Sequence, residues 1–307
     1  MELRAPGDPS PAVDASKRGM VGRSAVHVVT LRNDSPRGRW TYWEWRPPEL
    51  TGLVELIWQS EGTMTEEYDR HFPDGTIELL VNLGGDRFEL VEPEGAETFK
   101  TTWLCGQQLG PVVTVQPRRH TVLGVRLRPA GAYALLATPL RCVTGIVVEL
   151  EDLVGGAARE LVTRCRDARS VEARFCIAAA WVAERTAGAR TVDPAIAWAV
   201  AQIEEHGGDV PIAHLRRETG LSKTRLAAAF RDQIGVPPKL YARIVRFRQA
   251  LAMVESGTGP LSDVALAAGY YDQPHFNADF RELTGLSPRE LLIARFPTGV
   301  PVRPSDR

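Results

Sequence analysis

The sequence predicts an α+β chain, with a β-rich N-terminal domain followed by an all-α domain built from two tandem helix-turn-helix units. Three observations carry this reading. From Trp40 to about residue 150 the chain runs in short β-prone stretches broken by Gly and Pro. Beyond residue 150 the apolar residues change to helical spacing. Within that helical half, two stretches repeat each other at an offset of 50 residues. The length of 307 residues suits about two domains, and 44% hydrophobic with 24% charged residues is a globular balance.

Taken in order, residues 1–38 read as a flexible polar arm rich in Pro and Gly, without the apolar run of an export signal. Ala25–Leu31 alternates enough to form an extra strand. Residues 39–187 form the β-rich domain, with strands expected at LVELIWQS, TIELLVNL, RFELVE, PVVTVQP and TVLGVRLRP, between residues 53 and 129. Such closely spaced strands make an antiparallel sheet or a barrel. Two trailing helices follow from residue 150. The second places Phe175, Ala179, Val182 and Ala183 on one face, to pack inside the domain or against a partner subunit. TAGARTVDP, residues 186–194, is a linker ending in an Asp-Pro helix start. Residues 188–296 are the double helix-turn-helix domain, and 297–307 a flexible tail.

The repeat locates the chemistry. Phe230–Pro238 is echoed by Phe280–Pro288, whereas Leu215 and Gly220 are echoed by Val264 and Gly269 at an offset of 49, so the second turn is one residue longer. Each unit is a short helix, a Gly-containing turn and a second helix of the kind that enters a DNA major groove. Ser222, Ser262 and Asp272 stand where helix caps belong. At 100° per residue, burying Leu226 and Phe230 turns Thr224, Arg225, Ala227, Ala228 and Arg231 outward. Burying Phe276 and Phe280 turns Pro274, His275, Asn277, Ala278 and Arg281 outward at matching positions.

Residue type assigns the roles on double-stranded DNA. Arg231 and Arg281 suit phosphate oxygens. Arg225, Gln273, His275 and Asn277 carry the donors and acceptors that meet base edges, and Ala228 offers methyl contact. Ser222, Lys223 and Thr224 complete the leading end of the first helix. Between the units, KLYARIVRFRQALAMV predicts one long helix that fixes their separation, suiting adjacent major-groove segments about 34 Å apart. Its basic stripe of Lys239, Arg243 and Arg246 fits either phosphate contact or structural ion pairing. The net charge of −1 conceals this asymmetry. Residues 211–248 carry nine Lys/Arg against two acids, while residues 249–292 carry two Arg against six acids. The first unit should therefore supply most of the electrostatic affinity.

The stretch SDVALAAGYYDQPHFNADFRELTGLSPREL, together with Arg246 through Ala250, resembles the AraC/XylS family of bacterial transcription regulators over about 100 residues. The resemblance implies binding to promoter DNA and, in many members, activation through RNA polymerase. Ala228 and Ala278 stand where the family commonly has a long polar residue, which weakens each helix and favours binding as a homodimer. HFPDGTIELLVNLGG and GVRLRPAGAYALLATP resemble the sensor-like domain of a subset of such regulators, which implies control by a small-molecule effector without naming it.

Candidate effector-binding residues are Trp43, Trp45, His71, Asp74, Trp103, Arg126 and Arg128, with core packing, turn formation and solvated pairing as the alternative roles of these residue types. The other function open to this domain is oligomerisation or protein contact alone. Enzyme activity is not expected. The six histidines form no close pair with a carboxylate in the β region, and no GxSxG or phosphate-loop motif occurs. Cys105, Cys142, Cys165 and Cys176 are too scattered for a metal site, and no cofactor is implied. No run approaches the ~18 apolar residues of a membrane span, so a cytoplasmic protein is expected.

Overall fold

The computed structural model describes residues 19–294 apart from 22–23, 36–37, 66–67, 85–86, 93–94, 100, 116 and 258. The tail assigned to 297–307, and the arm up to residue 18, lie outside the described residues. Strands β1 (Gly19–Val21) and β2 (Ser24–Val26) pair antiparallel. They are followed by β3 (Val29–Ser35), β4 (Gly38–Trp45), β5 (Val54–Met64), β6 (Tyr68–His71), β7 (Ile77–Asn82), β8 (Phe88–Glu92), β9 (Gly95–Phe99), β10 (Thr102–Cys105), β11 (Val112–Val115), β12 (Arg119–Leu127) and β13 (Val147–Glu149). One sheet has the order β13-β10-β7-β12-β5-β4-β3 and a second the order β6-β11-β8-β9, all neighbours antiparallel. Residues 29–35, which the boundary at 38 left in the arm, pair along β4 as the edge of the larger sheet, where the alternation of residues 25–31 allowed an extra strand. Their alternating pattern outweighs the polarity of what precedes them.

The larger sheet is covered on one face by α1 (Pro129–Leu135), α2 (Leu150–Val154), α3 (Gly156–Asp167) and α4 (Val171–Thr186). Leu79, Val81, Leu104, Leu123 and Val125 meet Ala132, Leu161, Phe175, Ala178 and Trp181 in one apolar core. Each fully buried aliphatic or aromatic side chain there contributes about 1.5–3 kcal/mol relative to exposure. The face of α4 that also suited a partner subunit is thus occupied within its own domain. On the opposite face of the sheet, Leu80 and Trp103 pack against Leu90 and Phe99 of the smaller sheet.

Asp193 caps α5 (Pro194–Glu205) by accepting the Ala195 N–H, with Pro194 at the first helical position. Then come α6 (Ile212–Thr219), α7 (Lys223–Gln233), α8 (Pro238–Glu255), α9 (Leu261–Ala267), α10 (Gln273–Thr284) and α11 (Pro288–Ala294). Helix α8 belongs to two cores at once. Tyr241 and Val245 join Ile196, Leu215, Leu226 and Phe230 of the first unit. Phe247, Ala250 and Val254 join Val264, Tyr270, Phe276 and Phe280 of the second. The Phe247 and Phe280 rings meet edge to face at 5.3 Å. One helix common to both cores holds the units as a single body. Among the described residues no helix is long and apolar enough to cross a membrane.

The β-rich and helical parts are joined by specific contacts. The Thr144 hydroxyl donates to the Gly235 carbonyl at 2.9 Å in the turn between α7 and α8. Gly235 has φ +104°, and a Cβ there would lie 2.9 Å from the Thr144 hydroxyl, so only glycine suits both the backbone and the seam. Arg190 stacks over the Tyr133 ring at 3.9 Å and donates to the carbonyls of Tyr133, Leu136 and Thr138 at the end of α1. Arg141 pairs with Asp232. Phe72 packs against the core of the second unit, and Arg248 of α8 donates to the Asp74 carbonyl at 3.3 Å.

Candidate nucleic-acid interface

Each recognition helix begins with a formed cap. The Ser222 hydroxyl accepts the Arg225 N–H at 3.3 Å, and an Asp272 carboxylate oxygen accepts the His275 N–H at 2.7 Å. Each bond satisfies one of the free donors at a helix start. Ser262 does not cap. Pro260 stands at the cap position, the helix starts at Leu261, and the Ser262 hydroxyl donates instead to the Asp263 carboxylate. Proline, with φ preset and no N–H to satisfy, began the helix earlier than the serine signal indicated.

The turns before α7 and α10 use Gly220 at φ +67° and Gly269 at φ +79°, so each chain reverses tightly and leaves the next helix projecting. Along α7, Leu226 and Phe230 are buried, while Ser222, Lys223, Thr224, Arg225, Ala228 and Arg231 are exposed. Along α10, Phe276 and Phe280 are buried, while Gln273, Pro274, His275, Ala278 and Arg281 are exposed. Asn277 is half-buried, with its Oδ1 shielded and without a hydrogen-bond partner. Such an orphaned acceptor costs about 1–3 kcal/mol, which a rotation toward a donor relieves.

Ion pairing then separates the cations. Among the described residues, Arg216, Lys223, Arg225, Arg231 and Lys239 have no ion-pair partner and all are exposed. Arg281 lies 3.6 Å from Glu290. Arg243 reaches from α8 to α10, where it binds Asp279 and Glu282. The Glu282 hydrogen bond and then that of Asp279 raise its pKa further, and Arg243 lowers that of Glu282 in return. Arg246 donates to the Gly208 carbonyl at 3.0 Å, lies over the Tyr270 ring at 5.6 Å and is 3.8 Å from Asp209. Of the basic stripe, Lys239 alone projects freely, and Arg243 and Arg246 hold the fold together.

The candidate effector residues are spread over both faces of the larger sheet, the smaller sheet and the loops beside them. Trp45 is buried among the helix-facing core residues and Trp43 packs at its margin. Trp103 lies on the other face with Phe88 and Phe99. Arg126, directly opposite Glu78, also lies on that face, 3.6 Å from Asp74 and 3.5 Å from Glu78. Arg128 donates to the Thr51 carbonyl, and exposed His71 contacts the Thr114 hydroxyl across β6 and β11. Asp74 and Arg126 are the pair of this set joined by an ion contact among the described residues. The polar patch has members that sequence reasoning missed. Trp58 donates its indole N–H to Glu78 at 2.7 Å and stacks on Tyr42, whose hydroxyl pKa is pushed up by burial and then by Glu44. Gly124 opposite Trp58 leaves the indole its room, since a Cβ there would come within 2.3 Å of it. Alternation around TVLGVRL and LVELIWQS placed these residues on a common face, but the pairing of distant strands was needed to join them.

Comparison with known proteins finds partial similarities. The helix-turn-helix domain family matches residues 215–293, and a domain of unknown function, DUF6597, matches residues 46–149. The probable transcriptional regulator LumQ of Photobacterium leiognathi is 32% identical over 87 residues, which cover 28% of this chain and 35% of LumQ. The arabinose operon regulatory protein of Escherichia coli is 30% identical over 101 residues, covering 32% of this chain and 35% of that protein. The chain thus matches about a third of the length of these curated relatives. Among solved structures, ToxT of Vibrio cholerae aligns over 77% of this chain and 98% of its own, at 10% identity and a TM-score of 0.46.

Proposed function

We propose, on the premise that residues 215–293 form an AraC-type helix-turn-helix domain, that the chain is a sequence-specific DNA-binding transcription regulator governed by a small-molecule effector at its N-terminal domain. The observation that carries the DNA reading is the pair of capped recognition helices projecting from one body, with five cations in and beside the first that have no ion-pair partner among the described residues. Promoter DNA is the expected target. Neutralising about five phosphates gives a slope of about −3 to −5 for log affinity against log salt. Titrating the full chain against a selected duplex between low and physiological salt checks this, and a flat or absent dependence defeats it.

Support for effector control comes from the loop between β6 and β7. Its Asp74 carboxylate faces Arg126, its Asp74 carbonyl accepts from Arg248 of α8, and Gly75 lies against Ile244 of the same helix. A ligand that draws Arg126 away from Asp74 acts on a loop already seated on the helix common to both DNA-binding units. In a thermal-shift screen of metabolites on the full chain, an effector raises the midpoint of the wild type, and Arg126→Ala abolishes that rise. A screen without any hit favours the alternative, in which the domain serves oligomerisation or protein contact alone.

A further inference from the structure

The second unit is longer than the first by one residue, and the structure identifies which. In the first turn Gly220 is followed by Leu221 and then by the cap Ser222; in the second, Gly269 is followed by Tyr270, Tyr271 and then the cap Asp272. Leu221 and Tyr270 both pack inward, Tyr270 within the core of its unit. Tyr271 therefore has no counterpart. Its side chain is 88% exposed, against 3% for its neighbour, and it stands immediately before the cap of α10. Among the described residues it makes no hydrogen bond or ring contact.

At 88% exposure the Tyr271 ring and hydroxyl are both available to a partner. Its position at the leading end of the helix that would enter the groove makes it continuous with the exposed Gln273 and His275. The second unit also has little charge with which to attract the DNA backbone, because its acids outnumber its bases and Arg281 is near Glu290. We infer that Tyr271 is a DNA-contacting residue peculiar to the second unit, its ring lying against deoxyribose at the groove edge and its hydroxyl donating to a phosphate oxygen. This rests on the DNA-binding reading above. Tyrosine is among the side chains that contact the backbone without carrying charge. The contact displaces no counterion, so it adds affinity without adding salt dependence.

The test uses full-length Tyr271→Ala, Tyr271→Phe and Arg231→Ala on one selected duplex across a salt series, with thermal midpoints measured in parallel. Tyr271→Ala should lower affinity about 5- to 20-fold at every salt concentration, with the slope and the midpoint unchanged, and Tyr271→Phe should recover part of that loss. Arg231→Ala should reduce the slope by about one. Wild-type affinity in Tyr271→Ala, with Arg231→Ala behaving as described, overturns the inference and leaves the DNA reading standing. A loss confined to transcription, with DNA affinity intact, also overturns it and assigns the ring to a protein partner. No effect of either substitution, together with no salt dependence, overturns the DNA reading itself.

Discussion

Replacing Arg243 with alanine lowers the stability of the helical domain by about 2–4 kcal/mol and leaves the salt dependence of DNA binding unchanged. The Asp279 carboxylate is 8% exposed, and Arg243 and the Tyr270 hydroxyl, the latter at 3.0 Å, are its hydrogen-bonding partners. Removing the guanidinium leaves a buried anion with one donor, and breaking a buried pair from one side costs about 3–5 kcal/mol when burial is complete. Arg243 is itself 26% exposed, which admits water and reduces the cost. Glu282, on the surface, contributes little to that balance. Urea unfolding of wild type and Arg243→Ala measures the difference. Unchanged stability with a slope reduced by about one would return Arg243 to the phosphate-contacting role.

Arg225 and Arg231 lie six residues apart on α7 and should fail differently. Arg225→Ala relaxes preference at one base position by about 1–3 kcal/mol, because a guanidinium meets two acceptors on guanine and no other residue at the leading end replaces that fork. Arg231→Ala weakens all sequences alike, since a phosphate contact carries no base information. Both are exposed and without ion pairs among the described residues, so neither substitution should alter the fold. Selection from a randomised duplex library with each variant separates the two patterns. Equal effects across the library would remove the distinction between reading and positioning.

Local rules were enough for much of the architecture. Strands β5, β7, β8, β11 and β12 lie where alternation and bounding turns put them, and Ser222, Asp272 and Asp193 cap the helices they precede. These are properties of a few adjacent residues. Ser262 failed because a neighbouring proline competed for the same helix start. The patch around Arg126 was only partly legible, since Tyr42, Trp58, Glu78 and Arg126 come from four strands and meet only through register. Nor does helical spacing say which outward arginine finds an acid. Asp279 and Glu282 reach Arg243 from 36 and 39 residues away.

By itself, then, the sequence determined the α+β order, the paired helix-turn-helix units, their capped helices and the concentration of positive charge in the first of them. Periodicity, turn chemistry and composition are written in consecutive residues. Only the tertiary structure decided which cations remain free, because an ion pair depends on where two distant backbones are brought together. It likewise decided that α8 belongs to two cores and that the loop at Asp74 touches both Arg126 and Arg248. The extra residue at the second turn was visible as a change of offset, but its outward direction follows from the packing that buries Tyr270 and leaves Tyr271 in solvent.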